Sequence, residues 1–234
     1  MFATASHAWQ RWSTIKQQNG LSGAFSWLVG RAGWRLINLG IAEVIWLDLN
    51  DMQMAGDPPA GFEYRFLTSE DIARYVSPEN ELGPEHVARA AAGQDLCFAA
   101  LQDGKLAAYG WYAIGCIEGA ECDAVSLSFP PHVSYMYKGF THPDFRGQRL
   151  HGYIMRMALE ALARDRGITS LVSTVSFINW PSLKSCDRLG YRRLGRLVKA
   201  GWGVCGFRWY PKAAKKLGVR FGWRADMSSR KPVA

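Results

Sequence analysis

The stretch from Tyr137 to Tyr191 leaves the chain little choice of architecture. It reads as a strand, a Pro- and Gly-containing loop, a long helix, a strand over Ser170–Val175, a helix over Pro181–Leu189 and the start of a further strand. The helix, Leu150–Arg166, carries Ile154, Met157, Ala158, Ala161 and Leu162 on one side. Gly167 is placed to end it. A strand that feeds a helix through such a loop leaves several backbone N–H groups pointing outward. With the positive end of the helix dipole they form a site for an anion such as a pyrophosphate. Arg146 and Arg149 add charge there.

Upstream the pattern is mostly strands. Leu96–Leu101 and Leu106–Ile114 flank Asp103-Gly104 and predict a hairpin. Tyr64–Leu67 and His132–Thr141 read as strands, and Thr68 or Ser69 caps a short helix that begins with Glu70 and Asp71. Tyr191–Val198 and Val204–Tyr210 read as closing strands. Ala42–Leu49 is also strand-like, and Leu21, Phe25, Leu28, Ala32 and Leu36 keep approximate helical spacing. Gly56-Asp57-Pro58-Pro59-Ala60-Gly61 has the composition of a linker. It places a boundary between a Trp-rich basic extension, residues 1–55, and a main domain, residues 56–234.

Two blocks of this chain resemble a known family. Thr141-His142-Pro143-Asp144-Phe145-Arg146-Gly147-Gln148-Arg149-Leu150-His151-Gly152 is similar to motif A of the GNAT superfamily of acyl-CoA N-acyltransferases. Asn179-Trp180-Pro181-Ser182-Leu183-Lys184-Ser185-Cys186-Asp187-Arg188-Leu189-Gly190-Tyr191 is similar to its motif B. The resemblance covers roughly residues 62–210. It implies an α/β fold of mixed type: a twisted, mostly antiparallel central sheet flanked by helices, here with an N-terminal helical extension.

The resemblance also implies an acyl thioester donor, acetyl-CoA or a longer acyl-CoA, and direct transfer to an amine or, less often, a hydroxyl. Backbone amides around Phe140 and Thr141 would polarise the thioester carbonyl. The loop Arg146, Gly147, Gln148, Arg149, Leu150, His151 and Gly152 would hold the diphosphate, and Asn179 and Ser182 the pantetheine arm. Two positions depart from the family. The loop pattern R-x-x-G-x-G/A has Arg149 and His151 where small residues are usual, and Cys186 stands where a tyrosine often acts as general acid. A thiol has an ordinary pKa near that of a thiol leaving group, so Cys186 is a candidate proton donor. The same cysteine also reads as a small residue on a helix face. Tyr137 and His142, on or beside the central strand, are further catalytic candidates, though His142 before Pro143 also suits a loop-shaping role. Glu118, Glu121 and Asp123 lie where the family admits acceptors. No cluster of metal ligands is predicted.

Charge is distributed unevenly. The chain of 234 residues carries a formal net charge of +8. Residues 1–40 contain Arg11, Lys16, Arg31 and Arg35 and no acid, whereas residues 191–234 contain twelve basic residues and only Asp226. The ends are thus +4 and +11, which leaves −7 for the middle (8 − 4 − 11). Both ends are rich in tryptophan. Basic ends with tryptophan suit an anionic membrane surface, an acidic acyl-carrier protein, or simply a solvated basic face with packed rings. Nothing resembles a nucleic-acid-binding motif, although an aminoacyl-tRNA donor and a non-catalytic binding module are readings that share the fold. Five cysteines without a C-x-x-C pair argue against a disulfide framework and for a reducing compartment. The expectation is a cytoplasmic protein, peripheral on the inner face of the membrane where its acceptor is lipid-linked.

Overall fold

The computed structural model describes residues 3–54, 56–93, 95–118, 125–201 and 206–223. Eleven strands and six helices follow one another among them. The order is α1 (Ala3–Ile37), β1 (Gly40–Asp48), β2 (Glu63–Leu67), α2 (Ser69–Arg74), α3 (Pro84–Ala91), β3 (Asp95–Gln102), β4 (Lys105–Ile114) and β5 (Cys116–Glu118). There follow β6 (Val125–Ser128), β7 (Val133–Thr141), α4 (Leu150–Arg166), β8 (Ser170–Ser176), α5 (Trp180–Arg188), β9 (Arg192–Ala200), β10 (Phe207–Trp209), α6 (Lys212–Lys216) and β11 (Arg220–Trp223).

Eight strands make the main sheet, in the order β10-β9-β1-β8-β7-β4-β3-β2. Every neighbouring pair is antiparallel except β7 and β8. The β3–β4 hairpin turns on Asp103 and Gly104, whose φ angles are 49° and 74°. Two successive positive φ angles match the right-handed twist of the strands, which is why Asp-Gly suits this turn. Thr68 Oγ1 accepts from the Asp71 N–H (3.1 Å) and Asp71 Oδ2 from the Thr68 N–H (3.2 Å), so α2 starts on a closed capping box. Strands β5, β6 and β11 form a second, small sheet.

Each face of the main sheet is covered. On one, α4 buries Ile154, Met155, Ala158, Leu159 and Leu162 against Ile45, Leu47 and Leu171. Met157 is only partly buried there, and Ala161 is half-buried. The core stripe is therefore turned by about one residue from the expected one. The other face is aromatic: Trp46, Tyr109, Trp111, Tyr135 and Tyr137 pack together.

Strand β1 lies N-terminal to the linker-like segment and yet sits inside the sheet, paired with β8 on one side and β9 on the other. Val44, Ile45, Trp46 and Leu47 are all buried, each contributing about 1.5–3 kcal/mol of apolar burial. Beyond it, the Gln53 N–H donates to Leu189 O (3.0 Å), and Arg156 Nη1 donates to Met54 O (2.8 Å) and Gly56 O (2.9 Å). The start of the Gly56–Gly61 stretch is thus fastened to α4. What stands outside the sheet from residues 1–55 is chiefly α1, which bends at Gly20.

Candidate active site

β7 and β8 run parallel for three residue pairs, Val133/Ser170, Ser134/Leu171 and Tyr135/Val172, and then part. A bulge lies at the same place. Trp111 and Tyr112 of β4 pair with Lys138 and Met136, which leaves Tyr137 as the extra residue on β7. Such a bulge bends its strand and sharpens the local twist. Past Tyr135, then, the edge of β7 toward β8 faces a gap instead of a partner strand.

A cavity of about 830 Å³ occupies that gap. Met136–Gly139 form its β7 wall and Ser173–Ser176 its β8 wall, with Asn179 and Ser182 contributed by the start of α5 and Cys186 by its last turn. Helix α4 supplies His151 and Met155. The far wall comes from residues that the sequence places in the extension: Trp27, Gly30, Leu39 and the β1 residues Gly40–Ala42 and Ile45. Glu81, Lys138 and Lys199 bring charge to the lining.

The expected site residues divide into three groups. Asn179, Ser182, Cys186, Tyr137 and His151 line the cavity. Asn179 caps α5, its side-chain oxygen accepting from the Ser182 N–H at 3.4 Å. Burial pushes the Cys186 thiol up to about 11, with the Asp187 carboxylate acting in the same direction. His151 points inward. A Cβ on Gly139 would lie 2.3 Å from its Cε1, so the imidazole fills the slot that a missing side chain leaves on β7. Burial lowers its pKa and keeps the ring neutral.

Arg146, Gly147, Gln148 and Arg149 form the exposed turn that leads into α4. Gly147 has φ 86° and Arg149 φ 57°, the left-handed region that costs little at glycine and more at arginine. Arg146 Nε donates to Thr141 O at 3.4 Å. Leu150 and Gly152 are buried. A Cβ on Gly152 would come within 3.0 Å of Met54 Sδ and 3.1 Å of Leu189 Cδ2, so this glycine lets the helix start pack closely.

The third group lies away from the cavity lining. Phe140 stacks on Tyr109 at 5.2 Å, and Thr141 is paired with Ala108 of β4. His142 Nδ1 accepts from the Asp144 N–H (3.3 Å) and its Nε2 lies 3.1 Å from Glu79 Oε1, so the ring braces the turn. Glu118 ends β5; Glu121 and Asp123 lie outside the described residues.

Tyr137 is held from behind. Its hydroxyl donates to Asp95 Oδ2 (2.8 Å), which also accepts from Arg89 Nε. Burial and the Asp95 charge raise the phenol well above its ordinary value. Glu81, Lys138 and Lys199 escape a reading of the sequence. Lys138 Nζ donates to Glu81 O at 2.6 Å, and Glu81 itself adopts φ 52°. A left-handed glutamate 57 residues from its partner leaves no local pattern.

Among the described residues no group of three His, Cys, Asp or Glu side chains is placed to hold a metal ion. No helix among them is long and apolar enough to cross a membrane.

No family profile and no curated protein matches the chain. Solved structures do. A tandem GNAT protein from the clavulanic acid biosynthesis pathway is 18% identical, covering 69% of this chain and 52% of that one, with a TM-score of 0.49. The chain thus spans about half the length of that protein. A GCN5-related N-acetyltransferase-like protein from Streptococcus suis 89/1591 is 15% identical over 77% of this chain and 68% of that one, with a TM-score of 0.48. An aminoglycoside N-acetyltransferase in complex with CoA is 18% identical over 58% and 91%, with a TM-score of 0.41. The sheet order and the parallel pair that parts make a mixed α/β fold with a mostly antiparallel central sheet flanked by helices, the architecture that the sequence resemblance implies.

Proposed function

We propose that the protein transfers an acyl group from a CoA thioester to an amine by direct attack. The observation that carries this reading is the cavity between β7 and β8, open where their pairing stops and continuous with the first turn of α4 at His151. The diphosphate would rest on the turn Arg146–Gly152, where the first N–H groups of a 17-residue helix and two arginines meet. Asn179 and Ser182 would contact the pantetheine arm. The backbone amides best placed for the thioester oxygen are those of Tyr137–Gly139, which line the gap, and fixed donors of this kind contribute about 3 kcal/mol each.

In the reaction the amine nitrogen bonds to the carbonyl carbon and the carbon–sulfur bond breaks. The nitrogen loses a proton and the departing thiolate gains one. Cys186, on the α5 wall of the cavity, remains a thiol at neutral pH and is the candidate donor, a weaker acid than an ordinary thiol because burial pushes it up to about 11. Glu81, on the cavity wall beside Lys138, is the candidate base. Tyr137 keeps its proton on Asp95 and serves to hold the bulge.

The acceptor we favour is an amino sugar or lipid intermediate at the inner membrane surface, on the strength of the basic, tryptophan-containing chain ends. Thermal shift with acetyl-CoA and longer acyl-CoAs tests the donor: bound ligand raises the melting temperature by mass action. Arg146→Ala and Gly147→Trp should each weaken the shift without unfolding the protein. No shift with any acyl-CoA would leave a non-catalytic module, or a donor carried on acyl-carrier protein or tRNA.

A further inference from the structure

Exposed apolar side chains are concentrated in one region. Nine large hydrophobics are exposed among the described residues; six lie on the second half of α1 and two on β10. Leu21 (68%), Phe25 (69%), Leu28, Val29 and Leu36 (73%) recur at helical spacing and make one continuous stripe. The opposite side of the same helix is occupied: Ala24 and Trp27 are buried, and Gly30 packs against the Phe177 ring. Backbone contacts bring a second exposed apolar pair close to the end of the helix. The Gly201 N–H donates to Ile37 O (2.7 Å), and Ala200 pairs with Phe207 of β10. Phe207 (61%) and Trp209 (54%) alternate on one side of that edge strand.

We infer that this stripe, Leu21 to Leu36 with Phe207 and Trp209, docks the protein on an anionic lipid surface. Charge selects the occupant. Residues 1–40 carry +4 and no acid, and position 35, an arginine seven residues after Leu28, falls at the edge of the stripe by helical spacing. A second copy would bring two such segments together, whereas an anionic bilayer complements them. A helix of this kind lies in the headgroup layer with its apolar side down, and tryptophan favours the same depth. The inner side of the helix, Trp27 and Gly30, is a wall of the cavity. Docking therefore sets that wall at the membrane surface, where a lipid-linked amine can reach it; this step rests on the acyltransferase reading.

Co-sedimentation of the full chain with vesicles of phosphatidylglycerol and phosphatidylcholine, or of phosphatidylcholine alone, tests the surface. Wild type should bind the anionic vesicles, more weakly as salt rises from about 0.1 M to about 1 M. Leu21→Glu/Phe25→Glu/Leu36→Glu should lose about tenfold or more in affinity while melting as wild type does, and Phe207→Ser/Trp209→Ser should lose a part of it. The inference falls if wild type ignores anionic vesicles, or if the triple variant binds as well as wild type. It also falls if the chain is a dimer that the triple variant splits. The acetyl-CoA thermal shift on the same samples separates the two readings, because a shift without vesicle binding overturns the docking alone.

Discussion

The hydroxyls of Tyr135 on β7 and Thr174 on β8 lie 2.5 Å apart. Thr174 is two residues past Val172, the last β8 residue that pairs with β7. The bond thus latches the two strands just as they separate, on the aromatic face of the sheet, and sets how wide the cavity opens. Tyr135→Phe keeps the ring and removes the bond. It should cost about 1–2 kcal/mol in urea denaturation, and a double-mutant cycle with Thr174→Val should show positive coupling. Additive single effects would mean that the latch contributes nothing.

Gly139→Ala tests the slot that holds His151. The new Cβ would stand 2.3 Å from Cε1 and 2.9 Å from Nδ1, too close for the ring to stay. The imidazole then has to swing into the cavity or toward the Arg146–Arg149 turn. Acyl-CoA affinity should fall several-fold, and His151→Ala in the same chain should restore much of it by emptying the slot. Failure of the second change to rescue would place the defect in the β7 backbone instead.

Much of this arrangement is legible in the sequence, and the exceptions share a cause. The α4 pattern, the Asp103-Gly104 turn and the Thr68 cap are local signals, decided by spacing or by φ preference within a few residues. The placement of β1 is not local. Ala42–Leu49 reads as a buried strand, but the partners of β1 are 122 to 159 residues away. The composition of Gly56–Gly61 suggests a boundary, although Arg156 fastens the start of that stretch to α4. The site divides in the same way. Asn179 and Ser182 follow from the cap of α5, whereas the inward turn of His151 depends on a glycine in another strand.

Cys186 should be a slow thiol. With its pKa pushed up to about 11, on the order of one molecule in ten thousand carries the thiolate at pH 7. Among the described cysteines, iodoacetamide at that pH should label the exposed Cys116 before Cys186 and spare Cys186 until the protein is denatured. No acyl-cysteine should accumulate when acetyl-CoA is added. Under direct attack, Cys186→Ala should lower kcat by about tenfold to a hundredfold at unchanged KM if the thiol gives up its proton. An unchanged kcat would reduce the residue to packing.

His151 makes stability depend on pH. Its folded-state pKa is lowered by burial, so near and below the ordinary histidine value the unfolded chain binds the proton more readily. Stability should therefore be full above about pH 6.5 and fall as the pH drops below it. His86 shifts in the same direction, mainly through burial. His151→Gln should flatten part of the slope, and the double variant with His86→Gln most of it. A wild-type stability that stays level from about pH 7 to pH 5 would mean that His151 is solvated.

Truncation separates the two parts of residues 1–55. Removal of residues 1–19 cuts at the Gly20 bend and leaves Ala24, Trp27 and the cavity wall in place, so the chain should fold and bind acyl-CoA. Removal of residues 1–55 takes out β1. It exposes the facing edges of β8 and β9, strips the exposed Arg196 of the buried Glu43 that it pairs with (2.7 Å), and deletes four core side chains, Val44 to Leu47. Those side chains alone contribute about 6–12 kcal/mol at 1.5–3 kcal/mol each, which is comparable with the whole net stability of an ordinary domain. The shorter fragment should therefore be insoluble or lack a cooperative melt by circular dichroism. A folded, acyl-CoA-binding 56–234 fragment would show that β8 and β9 can close on each other and that the linker-like segment is a true domain boundary.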